Sequence, residues 1–316
     1  MCYVSQYSPP EINVCPEYAA VFQLDYSCRY DIIHLQFNEG NEDKNMQKAL
    51  FFDIDGTLVN FQGHMPDSAR KALQEAQQNG HKIVLCSGRS RMQIYPFLLE
   101  MGFDGIVAAT GAYAECDGRV IYRHFMSKEE VCAITALLDE AGACYSAQAG
   151  DFMITSASHR DRQIARFRTL GDSEMIDQIW SRVRITENMN QEPGIEKFVY
   201  YESKMPVSEI RERLSEICDV TESSFESEVS DSGEITSRGI NKAHGMQKYL
   251  ECAGIARENT IAFGDGPNDF DMLEYAAVGV AMGNASAALK EQADMVTAGI
   301  DDDGLAVAMK KTCLIS

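Results

Sequence analysis

From residue 48 onward, short apolar runs alternate with segments whose apolar positions recur every three to four residues. That alternation predicts a parallel sheet with helices crossing over its faces. Lys48–Ile54 reads as a buried strand running into Asp53-Ile54-Asp55-Gly56-Thr57, and Lys82–Cys86 as the next, ending at Ser87-Gly88-Arg89. Between them the pattern predicts a helix over Asp67–Asn79, with Pro66 before it and Gly80 after it as start and stop signals. A helix over Arg91–Met101 and a strand over Gly105–Ala109 follow. Towards the C-terminus, Thr260–Phe263 is a strand ending at Gly264-Asp265-Gly266-Pro267-Asn268-Asp269, followed by a helix through Tyr275. Short strands are predicted near Val278–Ala281 and Met295–Thr297, and a last helix from Gly304.

Residues 113–236 have a different texture. Tyr113–Arg123 reads as a hairpin around Asp117-Gly118. Ser127–Gly142 reads as a helix opened by a Ser127/Glu130 capping box. Strands are expected near Ala143–Gln148, Phe152–Ser156, Glu196–Tyr201 and Val220–Glu228, with a helix over Pro206–Ile217. This block is an α+β insertion into the doubly wound core, which leaves residues 46–112 and 237–316 as the core itself. Residues 1–45 show neither periodicity; their Pro9-Pro10 and scattered aromatics lead into the polar stretch before Met46-Gln47-Lys48. Met46 is the expected initiator, with 1–45 as a leader upstream of it; the rival is a genuine arm over a sheet edge or partner surface.

The charge balance narrows the partners. Lys and Arg total 28 against 48 Asp and Glu, a net charge of −20, which argues against nucleic acid and anionic membranes because both are polyanions. The ten cysteines contain no C-x-x-C pair and sit in apolar surroundings, the usage of reduced thiols in a cytoplasmic protein.

Ligands of open parallel sheets bind at the carboxyl ends of the strands. Here three such ends carry Asp53/Asp55/Thr57, Ser87-Gly88 and Asp265/Asn268/Asp269, and Ile240-Asn241-Lys242 opens the helix returning from the insertion. Several carboxylates, one lysine, a hydroxyl and glycine-freed amides suit Mg²⁺ with a phosphate, because Mg²⁺ takes oxygen ligands and shares them with water and substrate phosphate. Lys242 adds a point charge for phosphoryl oxygens. Asp53 and Asp55 project to one side of an extended segment, so one carboxylate can attack phosphorus while the other handles the leaving-group proton.

This constellation resembles the haloacid dehalogenase-like superfamily over residues 47–316. Asp53-Ile54-Asp55-Gly56-Thr57-Leu58 is similar to its first motif, Ser87 to the second-motif hydroxyl, Lys242 to the third-motif lysine, and Gly264–Asp269 to its fourth motif. Asp55 and Ser87 lie 32 positions apart, too few for an inserted domain, whereas Ser87 and Lys242 lie 155 apart. The insertion therefore follows the second motif, as in the Cof-type, subclass IIB sugar-phosphatase-like group with its C2-type cap on a Rossmann-like core. By this resemblance Asp53 is the nucleophile and Asp55 the acid and base. Mg²⁺ is held by Asp53, the Asp55 carbonyl and Asp265; Thr57, Ser87, Gly88, Lys242 and Asn268 bind the phosphoryl group; Asp269 supports Lys242. Two departures are Thr110-Gly111 where Asn-Gly is frequent, and Lys242-Ala243 where Lys-Gly is usual.

The implied reaction is Mg²⁺-dependent hydrolysis of a small phosphorylated molecule, sugar phosphates first. A phosphosugar mutase would use the same residues. A phospho-acceptor signalling module is the alternative of another class, disfavoured by Asp55 and by the insertion. Arg89 is expected to be structural rather than a phosphate ligand, Asp301-Asp302-Asp303 a solvated loop, and Tyr145, Phe152, Tyr200 and Tyr201 core residues of the insertion.

Overall fold

The computed structural model describes residues 46–170, 182–222 and 231–316, the side chains of 167–170 excepted. The expectations for residues 1–45, and the end of the strand foreseen over Val220–Glu228, fall outside the described residues.

Along the chain, β1 (Ala49–Phe52), α1 (Asp67–Gln78), β2 (Lys82–Cys86), α2 (Pro96–Glu100) and β3 (Gly105–Ala108) lead into a hairpin of β4 (Tyr113–Cys116) and β5 (Arg119–Arg123). Next come α3 (Lys128–Glu140), β6 (Cys144–Ala149), β7 (Phe152–Thr155), α4 (Ala157–Leu170), β8 (Val183–Ile185) and β9 (Lys197–Tyr201). Helix α5 (Val207–Leu214), β10 (Cys218–Glu222) and β11 (Gly233–Ser237) complete the insertion. The chain returns through α6 (Lys242–Ala253), β12 (Thr260–Gly264), α7 (Phe270–Tyr275), β13 (Val278–Ala281), α8 (Ala287–Gln292), β14 (Met295–Val296) and α9 (Gly304–Lys311).

Two sheets result. The first has the order β14-β13-β12-β1-β2-β3-β4-β5, parallel from β14 to β3 and antiparallel beyond. Strand β1 lies at its centre between β12 and β2, and every residue of its Ala-Leu-Phe-Phe run is buried. Continuous apolar character of that kind belongs to a strand covered by helices on both faces. The second sheet has the order β10-β11-β9-β6-β7-β8, antiparallel except for the β7–β8 pair. One of its faces packs Tyr145, Ala147, Phe198, Tyr200 and Ile235 against Ile134 and Leu138 of α3 and Ile210 of α5. The expected capping box is present: Ser127 Oγ accepts from the Glu130 N–H at 3.2 Å, and Glu130 accepts from the Ser127 N–H at 2.6 Å.

Three expectations need correction. The Tyr113–Arg123 hairpin belongs to the first sheet, because β4 pairs with β3 from Tyr113 to Cys116, so the second sheet starts at Cys144. The Arg91–Met101 helix is broken into a single 3₁₀ turn, Arg91–Gln93, and the short α2. Pro96 explains the break, since it has no N–H for a continuous ladder and suits a helix's first position. Phe152 is exposed rather than core, with Arg184 over its ring at 4.6 Å. Helix α4 and strands β8 and β11 have no counterpart among the elements that the sequence pattern predicts.

Candidate active site

The carboxyl ends of β1, β2 and β12 and the N-terminus of α6 meet at one edge of the first sheet. Asp53 directly follows β1 and donates its N–H to the Phe263 carbonyl at 3.0 Å, so its backbone is held in register with β12. Lys242 opens α6, where Asn241 caps the helix by accepting from the His244 N–H at 2.9 Å. The Lys242 side chain is fully buried, with Nζ 2.6 Å from Asp53 Oδ1 and 2.5 Å from Asp269 Oδ1. The other oxygen of Asp269 accepts the N–H groups of Asp265 at 2.9 Å and Gly266 at 2.8 Å. Asp269 therefore fixes the loop that carries Asp265 and orients Lys242 at the same time.

Asp265 accepts from Thr57 Oγ1 at 2.9 Å and from Asn284 Nδ2 at 3.1 Å. Gly56 makes room for it: φ is +83° there, and a Cβ would lie 2.0 Å from Asp265 Oδ2. Ser87 is buried, and its hydroxyl accepts the Arg89 N–H at 3.1 Å. A Cβ on Gly88 would sit 2.7 Å from Asn268 Nδ2, so glycine lets the β2 loop approach the β12 loop. The structure thus brings Asp53, Thr57, Asp265, Asp269 and Lys242 into one hydrogen-bonded cluster, and Gly88 against Asn268.

Asp55 stands differently. Both of its oxygens are engaged by Arg89, Oδ2 from Nε at 2.6 Å and Oδ1 from Nη2 at 2.7 Å. Arg89 also covers the Tyr95 ring at 4.6 Å and donates to the Gln93 carbonyl at 3.1 Å. The structural role expected of Arg89 is thereby given a specific target.

Oxygens of Asp53, Asp265 and Asp269 all lie within 4.8 Å of one another. Burial pushes the Asp53 carboxyl well above its usual range, against Lys242, with Asp269, Asp265 and Asp55 adding to the rise. Burial and the Asp269 charge push Asp265 up to about 7. Burial works against the Lys242 ammonium, but Asp269 and Asp53 outweigh it and hold the lysine charged. Ionised together, the three carboxylates outnumber the one ammonium by two charges, a repulsion that with burial raises Asp53 and Asp265, and the donors are all hard oxygens. A divalent oxygen-seeking cation fits that set.

Residues that the sequence reading passed over also converge here. Asn284, just after β13, bridges the site by donating to the Gly56 carbonyl at 2.8 Å as well as to Asp265. It lies at another strand end of the same edge, the signal that found the others. From the second sheet, Lys197 reaches the Gly88 carbonyl at 2.7 Å and Thr110 Oγ1 at 3.1 Å, and pairs with Glu234 Oε2 at 2.6 Å. No spacing rule connects those positions. The Asp301–Asp303 loop is exposed, as expected, and takes hydrogen bonds from Asn60 and Ser68.

Residues 50–309 match the family model of the haloacid dehalogenase-like hydrolases, and the chain belongs to that family. It is an enzyme, a phosphatase of the Cof-type, subclass IIB kind. YkrA of Bacillus subtilis (strain 168), a protein named as a phosphatase, is 30% identical over 278 residues, spanning 85% of this chain and 98% of the relative. The pyridoxal phosphate phosphatase YbhA of Escherichia coli (strain K12) is 28% identical over 275 residues, 82% of this chain and 96% of its own. Among solved structures, the subclass IIB sugar phosphatase BT4131 superposes with a TM-score of 0.69 at 29% identity, covering 85% of this chain and all 100% of that one. Among the described residues no helix is long and apolar enough to cross a membrane.

Proposed function

We propose that the chain is a Mg²⁺-dependent phosphomonoesterase of small phosphorylated metabolites, sugar phosphates first, working through an aspartyl-phosphate on Asp53 in the cytoplasm. The observation that carries this reading is the buried Asp53 carboxylate held by Lys242 beside Asp265 and Asp269. The second sheet, with α3, α4 and α5, serves as the cap over this edge, and residues 46–123 with those following Ser237 as the catalytic core.

Asp53, Asp265 and the backbone carbonyl of Asp55 would hold Mg²⁺, which supplies charge neutralisation for the transferring phosphoryl group. Ser87, the Gly88 N–H, Thr57 and Asn268 would position the phosphoryl oxygens, with Lys242 stabilising charge on them and on Asp53. A carboxylate oxygen of Asp53 attacks phosphorus as the ester P–O bond breaks, and Asp55 gives a proton to the departing alcohol oxygen. Asp55 then takes a proton from water as that water attacks phosphorus and the Asp53–phosphorus bond breaks. The free carboxylate and inorganic phosphate result. Because Arg89 occupies both Asp55 oxygens, proton transfer requires at least one of them to be released from the guanidinium.

The test is phosphate release from a panel of small phosphomonoesters, wild type beside Asp53→Asn, with and without Mg²⁺. Release that needs Mg²⁺ and disappears in the variant supports the reading. Wild-type release no greater than that of Asp53→Asn refutes it.

A further inference from the structure

The Ser87–Arg89 segment at the end of β2 is held from two sides. From the first sheet, the turn after β3 gives it two backbone bonds: the Ala109 N–H donates to the Arg89 carbonyl at 2.7 Å and the Thr110 N–H to the Ser87 carbonyl at 3.2 Å. In making them Ala109 and Thr110 adopt left-handed backbone, with φ of +49° and +53°. A β-branched residue stays in that region only where its surroundings constrain it. The Thr110 hydroxyl supplies the constraint, donating to Glu234 Oε2 of β11 at 3.0 Å.

From the second sheet comes Lys197, the first residue of β9. Phe198 and Tyr200 turn into the apolar core with α3 and α5, so strand alternation aims Lys197 the other way. Its side chain is fully buried, and three acceptors take the three hydrogens of its ammonium: the Gly88 carbonyl at 2.7 Å, Thr110 Oγ1 at 3.1 Å and Glu234 Oε2 at 2.6 Å. No hydrogen is left over for a substrate, so this lysine acts on the site through the group it holds. That group is one peptide unit. The Gly88 carbonyl and the Arg89 N–H share a plane, and the N–H donates to Ser87 Oγ at 3.1 Å. An ammonium at the carbonyl end fixes the plane and polarises the unit, which strengthens the donor at the other end. The Ser87 hydroxyl, engaged as an acceptor, then has its own hydrogen to give to a phosphoryl oxygen.

We propose that Lys197 is a positioning residue for phosphoryl transfer: anchored by Glu234 and Thr110, it fixes the Gly88–Arg89 peptide so that the Ser87 hydroxyl is aimed at the transferring group. This rests on the phosphomonoesterase reading above and extends it to a residue of the second sheet. A consequence separates it from any contact with the ester's alcohol: a small ester with no sugar needs Lys197 as much as a sugar phosphate does.

The experiment measures kcat and KM for p-nitrophenyl phosphate and a hexose 6-phosphate with wild type, Lys197→Met, Ser87→Ala and the double variant Lys197→Met/Ser87→Ala. Expected for Lys197→Met is a kcat lower by about tenfold on both esters, with KM changed less than about threefold. In the Ser87→Ala background the same substitution costs less than about threefold, because the hydroxyl it serves is gone. Two fully additive losses overturn the proposal. So does a KM that rises for the hexose phosphate while p-nitrophenyl phosphate is turned over as before, since that result makes Lys197 a substrate ligand. Melting curves establish folding, and Lys197→Met/Glu234→Gln, which strands no carboxylate, carries the same kcat expectation where Lys197→Met does not fold. A wild type that releases phosphate from neither ester refutes the phosphomonoesterase reading; an active wild type whose kcat is retained in the folded Lys197 variant refutes the positioning role alone.

Discussion

Replacing Lys242 with methionine removes the one ammonium among the described residues that contacts the Asp53–Asp269 pair, while filling nearly the same volume. Each contact, at 2.6 and 2.5 Å, corresponds to about 6 kcal/mol of gross attraction at an effective dielectric near 20. Burying the ammonium cancels several kcal/mol of this, and the two carboxylates repel each other through the same medium. Breaking a fully buried pair of this kind costs about 3–5 kcal/mol net, because the partners stay behind uncompensated. At roughly 2–4 °C per kcal/mol for a domain of this size, the variant should melt about 6–20 °C below wild type. Thermal unfolding followed by circular dichroism in metal-free buffer reads this directly. The same variant should lose about 10²–10³ in kcat, the usual consequence of removing a pre-organised charge at a transferring group. A melting temperature within 2 °C of wild type would mean that Lys242 is not holding charged carboxylates, and the electrostatic account of the site would be wrong.

Gly56→Ala should lower the melting temperature by several degrees and weaken Mg²⁺ binding at least tenfold. The new Cβ meets Asp265 at 2.0 Å on a backbone whose φ of +83° itself costs about 1–2 kcal/mol for alanine, and calorimetric titration of Mg²⁺ checks it. Chelation with excess EDTA should abolish phosphate release and added Mg²⁺ should restore it; full activity in EDTA would exclude a metal role for Asp53 and Asp265. Arg89→Lys should lower kcat about tenfold with little change in KM, because a single ammonium cannot reproduce the two-point hold on Asp55. Steady-state kinetics with the hexose phosphate reads that split, and a purely KM effect would count against it.

Much of this enzyme is legible from residue order. The central strands were readable because burial on both faces demands unbroken apolar runs, and the polar clusters at their ends were readable because parallel strands all deliver their carboxyl ends to one edge. The sequence distance from Ser87 to Lys242 likewise left room for only one large insertion. The hairpin after β3 has the texture of that insertion, but texture alone does not say which sheet edge a strand will join. That choice is made by backbone pairing with β3, a contact without a local signature. Apolar spacing alone predicts one helix over Arg91–Met101, whereas Pro96, lacking an N–H, divides it into the Arg91–Gln93 turn and α2.

What the chain order determined by itself is a common edge: Asp53, Asp55, Ser87, Asp265, Asn268 and Asp269 follow strand ends and Lys242 opens a helix. Only the tertiary structure decided the division of labour among their atoms. Lys242 reaches Asp53 across 189 positions of chain and Asp269 across 27, and Arg89 donates to both oxygens of Asp55. Asn284 joins Asp265, and Lys197 and Glu234 descend from the second sheet onto Gly88 and Thr110. The physical reason is range: periodicity and turn chemistry act over a few residues, whereas a buried charge finds its partner wherever packing brings one, at any separation along the chain.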